Sequence, residues 1–222
     1  AAQMQWVEKD GMKIALIAYQ EKMSTKSANT LQSTGGQGML AADTMDELKA
    51  MITDARSRGA HLVIVYYYWQ QTSVTKVTAN MRKTALDVTA AGADVIVGVG
   101  PKRLLPAAWL STSDDNGLSR RALVLYSLGS LLTESREGYD ISGALVHVKV
   151  KAKGSGAQAT ALSYTPTYIW KQQIGGKDQY RVLQSNAAAP NEMNEAQRGV
   201  MSRCLLRTRE NLDDSLLLIN ED

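Results

Sequence analysis

Residues Ala93–Arg103 read A-D-V-I-V-G-V-G-P-K-R. Three β-branched residues, Val95, Ile96 and Val97, stop at Gly98-Val99-Gly100-Pro101, and the cations Lys102 and Arg103 follow. A short apolar run bounded by glycine and proline predicts a strand buried on both faces, as in a parallel sheet. The loop just past the carboxyl end of such a strand is where open α/β sheets place ligands. The candidate site is therefore expected at Gly98–Arg103.

Upstream, Arg58–Val65 (R-G-A-H-L-V-I-V) repeats the pattern of Ala91–Val97 (A-G-A-D-V-I-V). In each, a helix ends at Gly-Ala, one polar residue follows and a buried strand begins. The helix before the first copy opens at Thr44 with a capping box to Glu47, buries Leu48, Met51, Ile52 and Ala55, and stops at Gly59. The helix before the second covers Ala79 to Ala91, with Met81, Ala85 and Val88 inward and Gly92 at its end. Two consecutive helix–strand units predict parallel neighbours joined by right-handed crossovers.

Further out, Lys13–Tyr19 and Ala122–Leu128 read as buried strands. Gln20–Met39, with Thr34-Gly35-Gly36-Gln37-Gly38, reads as a long loop without the Gly-Lys-Ser/Thr ending of a phosphate-cradling loop. Leu104–Leu110 reads as a short helix and Ser111–Gly117 as a polar turn. Ala144–Val150 alternates, which predicts an antiparallel or edge strand with one wet face. Lys151–Gly156 reads as a turn, and Ala157–Ile169 as a strand region interrupted at Pro166. A Gly175-Gly176 turn precedes a last short strand. Asn191–Arg209 reads as a surface helix with Met193, Ala196, Val200 and Cys204 on one face, and Leu216–Ile219 as a short apolar run docking back. The first 130 residues are thus α/β and the next 50 antiparallel β.

The chain has 222 residues, 44% hydrophobic, with a net charge of +3. Mixed charges without a basic run argue against strong nucleic-acid binding. No apolar run reaches the roughly 20 residues of a bilayer span. One Cys and two His leave neither a disulfide framework nor a zinc-ligand spacing. The opening Ala-Ala-Gln, without Met, reads as a processed or trimmed chain.

If the predicted strands are parallel neighbours, their carboxyl ends form one rim. It gathers Tyr66, Tyr67, Tyr68, Trp69, Gln70 and Gln71; Gly98–Arg103; and Ser127, Gly129, Ser130 and Glu134. That set lacks His and a close carboxylate pair. Paired-carboxylate acid–base catalysis, a Ser–His–Asp relay and a His-rich metal centre all lack their parts. Lys102 and Arg103 could hold an anion, and the Tyr-Tyr-Tyr-Trp run could stack a ring or fill the core on alternate residues. His61 and His147 read as structural histidines, and Cys204 as a small core residue. Gly98-x-Gly100 is only part of a dinucleotide fingerprint.

In this order, H-L-V-I-V-Y-Y-Y-W-Q (61–70), A-G-A-D-V-I-V-G-V-G-P-K (91–102) and L-Y-S-L-G-S-L (125–131) resemble the bacterial capsule-synthesis CapA family, also called poly-γ-glutamate synthesis proteins. That family is a branch of the calcineurin-like metallophosphoesterases. The likeness covers Val7 to Leu183, Pro166-Thr167-Tyr168-Ile169 included, and is strongest over Leu62–Ser130. It implies an α/β, metallophosphoesterase-like β-sandwich flanked by helices, here without the family's amino-terminal half and its Asp, Asn and His ligands. It implies residues 1–190 as the family-like region and 191–222 as a helix and tail docking on it.

Family members typically carry H-W-G at the first motif, G-H-x-P-H at the second and Y-S-L-G-N-F at the third. Here Tyr68 replaces the first metal-ligand histidine, and Val99 and Lys102 replace the two of the second motif, while Gly98, Pro101 and Tyr126–Gly129 remain. No metal ligands and no cofactor are therefore expected, although the family uses divalent metal ions. The expected ligand-binding residues are Tyr68, Trp69, Gln70, Lys102, Arg103 and Ser130. The expected function is binding of an anionic polymer or phosphate-containing ligand in cell-envelope polymer assembly, without metal catalysis. The alternatives are a metal-dependent hydrolase completed by ligands from an absent amino-terminal half, and a structural or protein-interaction domain. The resemblance also implies membrane-associated capsule-synthesis partners and a cell-surface or extracytoplasmic location.

Overall fold

The computed structural model describes residues 4–20, 44–70, 73–113, 117–134 and 138–216. The expected loop at Gln20–Met39 and the apolar run Leu216–Ile219 fall almost wholly outside these residues.

The units around Ala93–Arg103 form as the sequence predicts. Strand β2 (Met12–Gln20) leads to helix α1 (Met45–Ser57), strand β3 (Leu62–Tyr68), helix α2 (Ala79–Ala90) and strand β4 (Val95–Val99). Helix α1 opens on the capping box: the Glu47 amide donates to Thr44 Oγ1, and the Glu47 carboxylate accepts from the Thr44 amide. Thr78 caps α2 through the Met81 amide. Strands β2, β3, β4 and β6 (Ser119–Leu128) run parallel side by side, and β1 (Gln5–Lys9) and β5 (Leu104–Ser113) add antiparallel edges, giving the order β1-β2-β3-β4-β6-β5. A second sheet, β7-β8-β9, is antiparallel throughout and comprises Ser142–Lys153, Gly156–Ile174 and Lys177–Gln184. Among the described residues the architecture is thus mixed α/β: a six-stranded mixed sheet, a three-stranded antiparallel sheet and three helices.

Alternation along β4 divides the core. Ile96 packs with Leu48, Ile52, Met81, Ala85 and Val88 of α1 and α2. Val95 packs on the other face with Leu123 and Leu125 and with Ala144, Ala159 and Leu162 of the second sheet. Both faces of the central strand are therefore dry, which is why it carries β-branched residues without polar interruption. Helix α3 (Glu195–Leu216) packs against β5, β7 and β8, and buries Met201, Cys204, Thr208 and Leu212.

Four sequence expectations are corrected. Leu104–Leu110 is the edge strand β5, not a helix. Its leucines and alanines favour helix locally, but Ala107 and Trp109 fill one core while Ala108 and Leu110 fill the other, and pairing with β6 overrides propensity. Pro106 is tolerated because the strand lies at the sheet edge. Strand β8 runs through Pro166 without interruption. Pro166 lies opposite Ala144, and its carbonyl accepts from the Ser185 amide just past the end of β9, where pairing on that side runs out. The turn expected at Lys151–Gly156 tightens to Gly154-Ser155 because pairing continues to Lys153–Gly156. The carboxyl-terminal helix begins later and runs further than Asn191–Arg209. Asn194 and Gln197 form reciprocal cap bonds of 2.9 and 3.1 Å that fix its start, and Met193 precedes the helix.

The amino ends of the parallel strands are tied by one carboxylate. Asp94 Oδ2 accepts from Arg56 of α1 at 2.5 Å and from the Val63 amide of β3 at 2.7 Å, and Oδ1 accepts from Arg120 of β6 at 3.2 Å. Burial pushes the Asp94 carboxyl above its ordinary pKa, against the pull of Arg56, the Val63 amide and Arg120. Removing the carboxylate leaves two part-buried guanidiniums without it. Asp94→Ala is expected to cost about 3 kcal/mol in urea unfolding, the lower end for breaking a buried ion pair, since both arginines also donate to carbonyls.

Candidate functional site

The carboxyl ends of β3, β4 and β6 do form one rim, and its geometry is set by Trp69. The Trp69 amide donates to the Val99 carbonyl at 2.7 Å, extending β3 alongside β4. The side chain then crosses β4, and the indole Nε1–H donates to the Tyr126 carbonyl of β6 at 2.9 Å. The β4–β6 ladder ends at Val97–Leu125, and the indole occupies the next position.

Both glycines of Gly98-Val99-Gly100 answer to this tryptophan. A Cβ on residue 98 would collide with Trp69 Nε1 and the Tyr126 carbonyl. A Cβ on residue 100 would collide with the Trp69 carbonyl, at a φ of +117° that L-residues avoid. The partial fingerprint is therefore a tryptophan seat.

Across the helix-side face, Tyr19, Tyr67, Trp69 and Tyr126 form a continuous aromatic row, with centroid separations of 5.0, 4.4 and 6.2 Å. In this row Trp69 fills the space that Gly98 leaves. Burial raises the Tyr126 phenol above its ordinary pKa, and the positive field of Arg82 on α2 partly opposes this. Of the Tyr-Tyr-Tyr-Trp run, Tyr67 and Trp69 are core, Tyr68 is half-buried and Tyr66 is exposed. Alternation has won over a uniform stacking platform.

The remaining expected residues divide by exposure. Gln70 and Lys102 are exposed. Val99, 44% exposed, opens onto solvent where a metal-ligand histidine stands in the resembled motif. Arg103 is half-buried, with its guanidinium over the Tyr139 ring at 3.5 Å, and Arg207 of α3 lies over the same ring at 4.1 Å. Arg207 also donates to the Gly138 carbonyl.

The Ser127 and Ser130 hydroxyls hold the loop. Ser127 Oγ donates to the Pro101 carbonyl at 3.0 Å and accepts from the Gly129 amide at 3.2 Å. Ser130 Oγ donates to the Lys102 carbonyl at 3.2 Å. The conformation that presents Lys102 is therefore imposed by the strand-end serines. Sequence reading placed these serines on the rim but missed the latch, and it missed Tyr139 and Arg207, which lie far along the chain and carry no local signal.

With this geometry in hand, the comparison with known families is decisive for kinship. The family model for the bacterial capsule synthesis protein PGA_cap matches residues 1–135, more than half of the chain. The chain belongs to the PGA_cap family. No curated protein matches it. The match covers α1, α2 and all six strands of the large sheet, so the whole rim lies in the PGA_cap region.

The divalent metals implied by the resemblance do not fit the rim as built. Tyr68, Val99 and Lys102 supply no imidazole, and Lys102 brings positive charge where a dication would need anions. The two histidines lie elsewhere. His61 stands at the opposite end of β3, where its Nδ1 accepts from the Lys13 amide at 2.8 Å, and His147 is exposed on β7. Among the described residues, no group of three or more His, Cys, Asp or Glu could hold a metal ion.

Gly98→Ala tests the tryptophan seat. It is expected to expel the indole, change the near-ultraviolet circular dichroism and cost about 3 kcal/mol in urea unfolding, at the upper end for overpacking. An unperturbed spectrum and stability would show that the seat is not filled as described.

Proposed function

We propose that this PGA_cap protein binds an anionic ligand at the rim in cell-envelope polymer assembly, without metal catalysis. The observation that carries the reading is Lys102. It is exposed on a loop latched by Ser127 and Ser130, at the carboxyl end of a parallel sheet, where the resembled motif carries an imidazole. A fixed cation can meet a carboxylate or phosphate directly, in the place where a metal ion would otherwise mediate. Arg103, fixed on Tyr139, supplies charge to one flank, with Tyr68 and Gln70 on the other.

The metallophosphoesterase-like assignment of the sandwich belongs to this proposal, as do membrane-associated partners and a location at the cell surface. No described helix is long and apolar enough to cross a membrane. Trp69 favours a second reading. Its indole fills the space beside Gly98 at the strand ends, and a filled rim suits a protein-interaction surface better than an enclosed small-molecule site.

Isothermal titration with oligo-γ-glutamate and with inorganic phosphate separates the two. The anion reading predicts saturable binding that Lys102→Ala weakens about tenfold, the scale of one charge-assisted hydrogen bond, with unchanged unfolding. Equal affinity in the variant would overturn it in favour of the second reading.

A further inference from the structure

Tyr139 stands where the carboxyl-terminal part of the chain reaches the rim. Its backbone is tied on two sides. Arg207 of α3 donates to the Gly138 carbonyl, and Ser142 Oγ, at the start of β7, donates to the Tyr139 carbonyl at 3.2 Å. A Gly129–Gly143 bridge joins the same segment to the chain just past β6. Helix α3 is in turn anchored by Met201, Cys204, Thr208 and Leu212, all buried, and the Arg207 carbonyl accepts from Asn211 Nδ2 at 2.8 Å. The place of the Tyr139 ring is therefore set by residues that lie beyond the PGA_cap match.

Two guanidiniums meet this ring, Arg103 at 3.5 Å and Arg207 at 4.1 Å from its centroid. Among the described residues, Arg103 has the ring as its partner and no hydrogen bond or ion pair. A guanidinium stacked on an aromatic face engages through its flat side and keeps its in-plane N–H fork for hydrogen bonds. An unheld arginine on a loop samples many rotamers, and ordering it opposes binding. Held by the ring, Arg103 has lost that freedom before a ligand arrives. Arg207 supports the arrangement twice, through its own stacking on the ring and through the Gly138 carbonyl that precedes it.

We propose that Tyr139 and Arg207 are positioning residues for the rim. They hold Arg103 so that its N–H fork takes two oxygens of one oxyacid group, carboxylate or phosphate, beside Lys102. Such paired donation is geometry that a lysine in place of Arg103 would not supply. This rests on the anion reading of the rim and gives α3 a part in the same site.

Two measurements test it. The first needs no ligand: the NMR order parameter of the Arg103 Nε–Hε group, assigned by its disappearance in Arg103→Lys. It should be high in the wild-type chain, stay high in Tyr139→Phe, which keeps the ring, and fall in Tyr139→Leu and in Arg207→Ala. The second is titration calorimetry with inorganic phosphate. Tyr139→Leu and Arg207→Ala should each weaken binding about fivefold, the scale of one cation–π contact, and Tyr139→Phe should bind as the wild type does. In an Arg103→Ala background neither substitution should weaken binding further. An order parameter unchanged in Tyr139→Leu and Arg207→Ala would overturn the positioning role, as would full losses persisting in the Arg103→Ala background. Absence of saturable phosphate binding by the wild-type chain, with the order parameter behaving as expected, would instead overturn the anion reading, and the proposal with it.

Discussion

The hydrogen bond from the Trp69 indole to the Tyr126 carbonyl organises the carboxyl end of the large sheet. Strand β4 has dry faces on both sides, one toward the helices and one toward the second sheet. At Gly98 it gives up its own side chain so that a residue from β3 can cross it and bond to β6. Three parallel strands are joined by one tryptophan just past the point where the β4–β6 ladder stops. The loop beyond cannot collapse onto the strand ends, because Trp69 fills that space. Ser127 and Ser130 hold it instead, and Lys102 and Val99 face outward.

The two ends of the sheet solve different electrostatic problems. At the amino end, Asp94 binds Arg56 and Arg120 and ties α1, β3, β4 and β6 together. At the carboxyl end, bulky aromatic residues take the structural role and leave cations on the perimeter. Where the resembled motifs carry histidines, the rim holds a phenol, an isopropyl group and an ammonium, while Gly98, Pro101, Ser127 and Gly129 remain.

Much of this was legible in the sequence, for physical reasons. Continuous β-branched runs at Leu62–Val65 and Val95–Val97 mark strands buried on both faces, and the Gly-Ala ends of the preceding helices mark crossovers. The parallel core, the Thr44 capping box and the inward faces of α1 and α2 follow directly. Elements governed by long-range pairing were less legible. Leu104–Leu110 has helix-forming composition, and only β6, further along the chain, makes it a strand. Pro166 reads as a break because the sequence does not show that β9 stops there. The rim residues could be named from strand ends, but their roles could not. Nothing local reveals that Trp69 lies across Gly98, that Arg103 stacks on Tyr139, or that Arg56 and Arg120 meet on Asp94 at the far end of the sheet.

We propose that this PGA_cap rim works through the cations Lys102 and Arg103 and not through a metal pair. Manganese content measured on the purified chain, after equilibration with Mn²⁺ and removal of the loosely bound excess, tests it most directly. The account predicts far less than one ion per chain. Two tightly held ions per chain, lost on substitution of rim residues, would contradict it.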